Sequence, residues 1–572
     1  MNYFGVYHSD YSRSNSGIFD APCITVGRMM LCARGAFSRG KQLALAWGRI
    51  RNRSALAAAL DCAGNVGASE LALRAYQRWG VGYPSHIEGP VVSCVMDADA
   101  DTLVLARDRM GERPVFYARH GDSLAFSDHP DALLKAAKVE PSMGPDNLRE
   151  LFGLGPARSP GMTCYRHMLA LEPGCALVVR GDRETVQRYW RLEDGDHGED
   201  APTTVRHTRL LLEQCVADAA AQKSAVMLSG GLDSTALTAL LKDRVTPLRS
   251  FSVDYQDNTR DFVANAFRPE MDAPYVSQAV RAFGTQHRTV MLTQRDLARG
   301  LDRAMSLRGF PGMADIDTSL MLFAEQIARF DACVVSGECG DEVFGGYPWF
   351  KGSAPLEDFP WSGSLELRES LLRPEVREAL RLKEYVADVF ATRRAVADPG
   401  AGFEPNERRL RTLQRLCFEF FMPNLQERAQ RMCEGAGLEV LTPLCDERLV
   451  QYVYNVPWEM KFMGGQEKGL FRQAVADLLP DKLLRRTRSP YPKTCSPEFS
   501  GIVRAMALRL TEDADAPIFA LIDRTRLKRL AQSALNPVDT PWFGQLMAGP
   551  QLLGYLWQVN SWLRDRDVQI EL

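Results

Sequence analysis

Ala225-Val226-Met227-Leu228-Ser229-Gly230-Gly231-Leu232-Asp233-Ser234-Thr235 is an apolar run broken by a Ser-Gly-Gly-x-Asp-Ser turn, after which Ala236-Leu237-Thr238-Ala239-Leu240 resumes the apolar pattern. The pattern predicts a buried strand, a tight loop and a helix. Gly230 and Gly231 let the backbone approach a phosphate closely, while Ser229, Ser234 and Thr235 add hydroxyl donors and the helix N-terminus favours negative charge. An acid is out of place beside bare phosphate oxygens. Asp233 fits if it holds a Mg²⁺ that neutralises them, so the loop points to magnesium nucleotide chemistry.

Two later segments end in acids in the same manner. Ser250-Phe251-Ser252-Val253-Asp254-Tyr255 reads as a second strand, and Ala332-Cys333-Val334-Val335-Ser336-Gly337-Glu338-Cys339-Gly340-Asp341-Glu342 as a third running into a glycine-rich acidic turn. Ligands in such sheets lie where strand C-termini meet loops. Asp341 can give the metal a second carboxylate, and Glu338 can act as a base or orient an amine. Glu342 has no assigned role, and capping of the following helix is the alternative for it.

The chain has 572 residues, 45% hydrophobic and 25% charged, which is globular composition with length for two or more domains. A net charge of -3 without a Lys/Arg block gives no nucleic-acid footprint, and no apolar run reaches membrane-spanning length. Thirteen cysteines without Cys-x-x-Cys spacing, and a start lacking signal-peptide character, predict reduced thiols and a cytoplasmic location. Residues 1–195 are strand-rich, with runs such as Val91–Met96 and Thr102–Ala106. A polar linker over Gly195–Pro202 separates them from alternating strands and helices, which become almost wholly helical from about residue 365.

Ser229–Ser234, Ser336–Tyr347, Leu438–Asp446 and Ser489–Thr494 occur in the order and form in which they stand in asparagine synthetases, and most of residues 200–500 resembles that family's synthetase domain. The resemblance implies two domains. One, over 1–195, is an α+β Ntn-hydrolase-like sandwich of the glutamine amidotransferase type. The other, over 205–572, is an α/β adenine-nucleotide domain of the PP-loop, alpha-hydrolase-like kind with a helical C-terminal part. It implies ATP and Mg²⁺, and activation of a carboxylate as an acyl-adenylate before an amine attacks. Leu228, Val253 and Gly337 would line the adenosine pocket, with Asp254 beside them. Ser229, Gly230, Gly231, Asp233, Ser234 and Thr235 would hold pyrophosphate, and Asp233 with Asp341 the metal. Lys468 matches a family lysine near the phosphates.

The departures from the family carry their own expectations. Arg488 stands where a second lysine is usual; either it grips pyrophosphate with its planar fork or Lys493 reaches in instead, with a solvated basic face of Arg485, Arg486 and Arg488 as the bland alternative. Glu434 intrudes in a segment bordering the acceptor pocket, so the activated acid need not be aspartate. In the front domain Asn2 replaces the nucleophilic cysteine, Trp47-Gly48-Arg49-Ile50-Arg51-Asn52 replaces the amide clamp, and Ala68 replaces an aspartate; this domain is expected to be inactive. An amine within the substrate itself would then close a lactam, as in β-lactam synthetases, where a well-oriented group acts at an effective concentration of ~10⁵ M or more. The alternatives are ammonia-dependent amidation, a lasso-type peptide cyclase and a non-catalytic nucleotide-binding scaffold. The partners expected are a small-molecule carboxylate and amine and a second copy of the chain, with no nucleic acid and no membrane.

Overall fold

The computed structural model describes residues 1–7, 21–220, 224–265, 267–533 and 541–572. They divide into two compact units, one built from 1–147, 159–193 and 569–571, the other from 148–158, 194–568 and 572.

The first unit stacks two six-stranded sheets. One face of each supplies a shared core in which Tyr3, Leu31 and Phe126 meet Leu45, Cys94 and Leu105. The opposite face of the second sheet is covered by the helix Ala68–Trp79 through Leu71 and Ala75. Two-sided burial explains why Val91–Asp97 is inaccessible along its whole length rather than at alternate residues. The expectation of thiols alone is corrected here. Cys23 and Cys32 stand directly opposite each other on antiparallel strands and are joined as a disulfide. The eleven other cysteines form no disulfide.

The second unit is organised by a parallel sheet of β1 (Ser224–Met227), β2 (Arg249–Tyr255), β3 (Gln286–Leu292), β4 (Cys333–Val335) and β5 (Glu439–Leu441) in the order β3-β2-β1-β4-β5. The connections leaving β1 and β4 therefore diverge to opposite sides, and the crevice between their C-terminal ends is where a ligand fits such a sheet. Helices dominate from Leu365 to Asp565. The segment read as a linker ends earlier than its composition suggested, because Asp200 caps the helix Ala201–Ala219 by accepting from Thr203 N at 2.9 Å. No described helix is long and apolar enough to cross a membrane.

Candidate functional site

Leu228 continues β1 by donating its N–H to Phe251 O at 2.7 Å, and the chain then breaks into the loop before α1 (Leu232–Leu241). Gly230 has φ +73°, and a Cβ there would lie 2.8 Å from the Cβ of Tyr275, so the turn requires glycine. The hydroxyls fix the rest: Ser229 Oγ and Ser234 Oγ are 3.0 Å apart, and Ser234 Oγ donates to Gly231 O at 3.2 Å. Asp233 occupies the first turn of α1.

From β4 the chain enters Ser336–Gly340, and α3 (Gly340–Phe344) brings Asp341 to face Asp233. The approach is close, since a Cβ on Gly340 would lie 2.7 Å from Asp233 Cγ. Lys468 lies between the two acids, its Nζ 2.5 Å from Asp233 Oδ2 and 2.6 Å from Asp341 Oδ1. Its backbone is left-handed, with φ +57°, a conformation that a lysine holds only where its surroundings impose it. Arg488 Nε and Nη2 reach Asp341 Oδ2 at 2.8 and 2.7 Å, and its guanidinium sits 4.7 Å from the centre of the Tyr347 ring.

Burial pushes both carboxyls up, and the neighbouring cations separate them. Asp341 has Arg488 and Lys468 against it and is held well below the usual carboxylate range. Burial outweighs Lys468 at Asp233, which stays raised. Lys468 is itself raised, because the two carboxylates overcome its desolvation.

A cavity of about 260 Å³ opens beside this cluster. Leu228, Ser229, Gly231, Asp233, Ser234, Val253, Asp254, Gly337, Glu338, Asp341, Lys468 and Arg488 all line it. Three of the residues expected around the nucleotide, Gly230, Thr235 and Lys493, are not among its walls. Gly230 shapes the turn instead. The Oγ1 of Thr235 is buried without a hydrogen-bond partner among the described residues. Of the two alternatives for the second cation, Arg488 is the one on Asp341, whereas Lys493 Nζ donates to Leu546 O at 3.0 Å. The three arginines do not form one solvated face. Arg485 is exposed on Asp481, Arg486 donates to Ser229 O at 3.1 Å, and Arg488 holds Asp341.

Glu338 lines the cavity with its carboxyl raised by burial, which Arg428 at 3.8 Å only partly offsets. Arg428 is stacked 4.5 Å from the centre of the Tyr491 ring, another wall of the cavity. Glu342 does not cap a helix. It is inaccessible, receives the Tyr347 hydroxyl at 2.8 Å, and is pushed up by burial to about 8.

Asp233 Oδ1 is buried and accepts no hydrogen bond among the described residues. Two facing carboxylates with an oxygen to spare suit a Mg²⁺ that draws its remaining ligands from phosphate and water. Among the described residues no cluster of three or more acidic, His or Cys side chains exists to hold a metal without such a partner. When bound, Mg²⁺ would neutralise phosphate oxygens, with Asp233 and Asp341 as its protein ligands.

Arg268, Arg472 and Arg486 were not singled out as ligand-site residues, although Arg268 and Arg472 line the cavity and Arg486 fixes Ser229. The one signal for Arg486 was its place beside Arg488; Arg268 lies in a stretch without a motif.

Comparison with known proteins follows the same division. The asparagine synthase family matches residues 207–564, and the glutamine amidotransferase domain family matches 38–190. The chain is 37% identical over 513 residues to the glutamine-hydrolysing asparagine synthetase 3 of Bacillus subtilis, covering 88% of this chain and 83% of that protein. It is 22% identical over 505 residues to amidase chry2 of Gibberella zeae, covering 74% of this chain and 72% of that one. Identity to the glutamine-hydrolysing asparagine synthetase 1 of Bacillus subtilis is 20% over 458 residues, covering 74% and 71%.

Proposed function

The chain belongs to the asparagine synthetase family of ATP-dependent amide-forming ligases, and from that premise we propose that it adenylates the carboxylate of a small amino-acid-derived substrate and closes it with an amine of the same molecule. The observation that carries the adenylation step is Lys468 between Asp233 and Asp341, with Arg488 on the second acid. A carboxylate is a poor electrophile, and converting it to a mixed anhydride requires several negative charges to be gathered in one place. The loop hydroxyls, the N-terminus of α1, Lys468 and Arg488 offset those charges. Glu338, with its raised carboxyl, would take the proton from the attacking amine.

The lactam reading rests on the front unit. Asn2, Arg49 and Ala68 stand where the resemblance calls for the nucleophile and the glutamine clamps, which argues for an amine other than one released from glutamine. In that unit Asn2 N and Nδ2 donate to Asp128 at 3.0 Å, and Ala68 opens a helix whose Ser69 hydroxyl serves Ala46 N and Gly35 O. These groups support the strands around them, and they are the reason to expect no glutamine hydrolysis.

Ammonia-dependent amidation is favoured by one observation, the acid at position 338, which this chain shares with the asparagine synthetases it resembles. The test incubates the protein with ATP, Mg²⁺ and a panel of diamino acids or aspartate, with and without ammonium or glutamine, and follows pyrophosphate release with product mass. Loss of water from one substrate, independent of added nitrogen, is the expected result. Efficient formation of asparagine from aspartate and ammonium would overturn the lactam reading.

A further inference from the structure

Arg268 is 5% exposed and lines the same cavity as the phosphate loop. Its position is fixed from several sides. Asn265 Oδ1 accepts from the N–H groups of Phe267 and Arg268 at 3.0 and 2.9 Å, setting the turn, and the Phe262 ring centre lies 5.5 Å from the guanidinium. One terminal nitrogen donates to Lys493 O at 2.9 Å. The other makes a long contact of 3.3 Å to Asp272, a carboxylate already paired with Arg486. Its Nε is buried and has no acceptor among the described residues.

The remaining cations around the cavity are committed more completely. Lys468 is held by two acids and Arg488 by Asp341, while Arg472 is occupied by Glu467 and by backbone carbonyls. Leaving a buried guanidinium N–H unsatisfied is costly, so an acceptor supplied by a ligand is the simplest completion. Arg268 is also tied to the phosphate loop: Asp272 joins it to Arg486, whose other nitrogen holds Ser229 O. It belongs to the segment that follows β2 and precedes α2 (Ala273–Phe283), and not to the loops that carry Asp233 and Asp341. A phosphoryl group between the base side of the cavity and the metal pair is the α-phosphate.

We propose that Arg268 binds the α-phosphate oxyanion of the nucleotide, the group that stays with the substrate when pyrophosphate leaves. This assignment rests on the adenylation reading above. The test is calorimetric titration of the full chain with AMP and, separately, with inorganic pyrophosphate and Mg²⁺, comparing wild type with Arg268→Met and Arg268→Lys. Loss of a charge-assisted bond predicts ~10–100-fold weaker AMP binding by Arg268→Met, partial recovery in Arg268→Lys, and pyrophosphate binding within about twofold of wild type. Thermal melting of the three proteins identifies a variant that has failed to fold, and the lysine variant, which keeps the apolar stem, then carries the comparison. Unchanged AMP affinity, or an equal loss for pyrophosphate, overturns the assignment. Failure of the wild-type protein to bind AMP would sink the nucleotide reading as well, so the two failures are distinguishable.

Discussion

Each unit of this chain buries an arginine–aspartate cluster, and the two clusters differ in how completely their hydrogen bonds are satisfied. In the first unit, Arg107 donates to the carbonyls of Arg113, Leu171 and Gly111 at 2.8–2.9 Å, and Asp108 accepts from Glu112 N and Arg113 N at 2.9 Å. That cluster satisfies backbone groups and ties a turn to a strand. In the second unit, Asp233 and Asp341 face each other across Lys468, and Asp233 Oδ1 is left over. Buried polarity used up by the protein's own backbone marks a scaffold, whereas buried polarity left over marks a place for a ligand.

The largest expected effect separates the two clusters directly. Asp233→Ala should reduce ATP-dependent pyrophosphate release ~10³-fold or more, because it removes a group aimed at charge that develops in the reaction. Its thermal midpoint should change little, since Lys468 keeps Asp341 as a partner. A coupled release assay beside a thermal melt reads both quantities. Asp108→Ala should do the reverse, destabilising the protein by ~2–5 kcal/mol by leaving the buried N–H groups of Glu112 and Arg113 without their acceptor, which denaturant titration can follow. If Asp108→Ala left the melt unchanged, the contrast between scaffold and site would fail.

A smaller effect concerns Glu342. In the unfolded chain its carboxyl ionises near 4.5, and in the folded protein near 8. Between those values the folded state holds the extra proton, so this residue lowers stability as pH rises through the window, and the contribution is fully developed above about 8. Glu342→Gln should flatten the fall in thermal midpoint across that range; an unaltered pH profile would mean that Glu342 is ionised in the folded protein. The smallest effect is expected from Asn2→Ala, which should leave turnover within about twofold of wild type, as expected for a residue engaged in structure rather than chemistry. A large loss of turnover would show that the front unit contributes to the reaction.

The phosphate loop was legible because its information is local. A strand, two glycines, an acid and a helix start lie within eleven residues, and their spacing states the chemistry. Asp341 and Glu338 were legible for the same reason. Arg488 could be read only as one of two alternatives, because the distance between Asp341 and positions 488 or 493 is set by how the helical part folds back. Arg268 could not be read at all, since a lone arginine in a loop has no pattern until its neighbours are known. Cys23 and Cys32 were likewise indistinguishable from the other cysteines until strand register placed them opposite each other.

By itself the sequence determined the two-part organisation, the strand–loop–helix that presents Asp233, and the glycine-rich acidic turn that presents Asp341, because periodicity and short motifs act over a few residues of chain. The tertiary structure alone decided which cations meet which acids: Lys468 with both, Arg488 with Asp341, Lys493 with a carbonyl, and Arg268 with an open donor. Those pairings join residues up to 235 positions apart, and Coulomb energy depends on separation in space and on burial, neither of which is written in chain order.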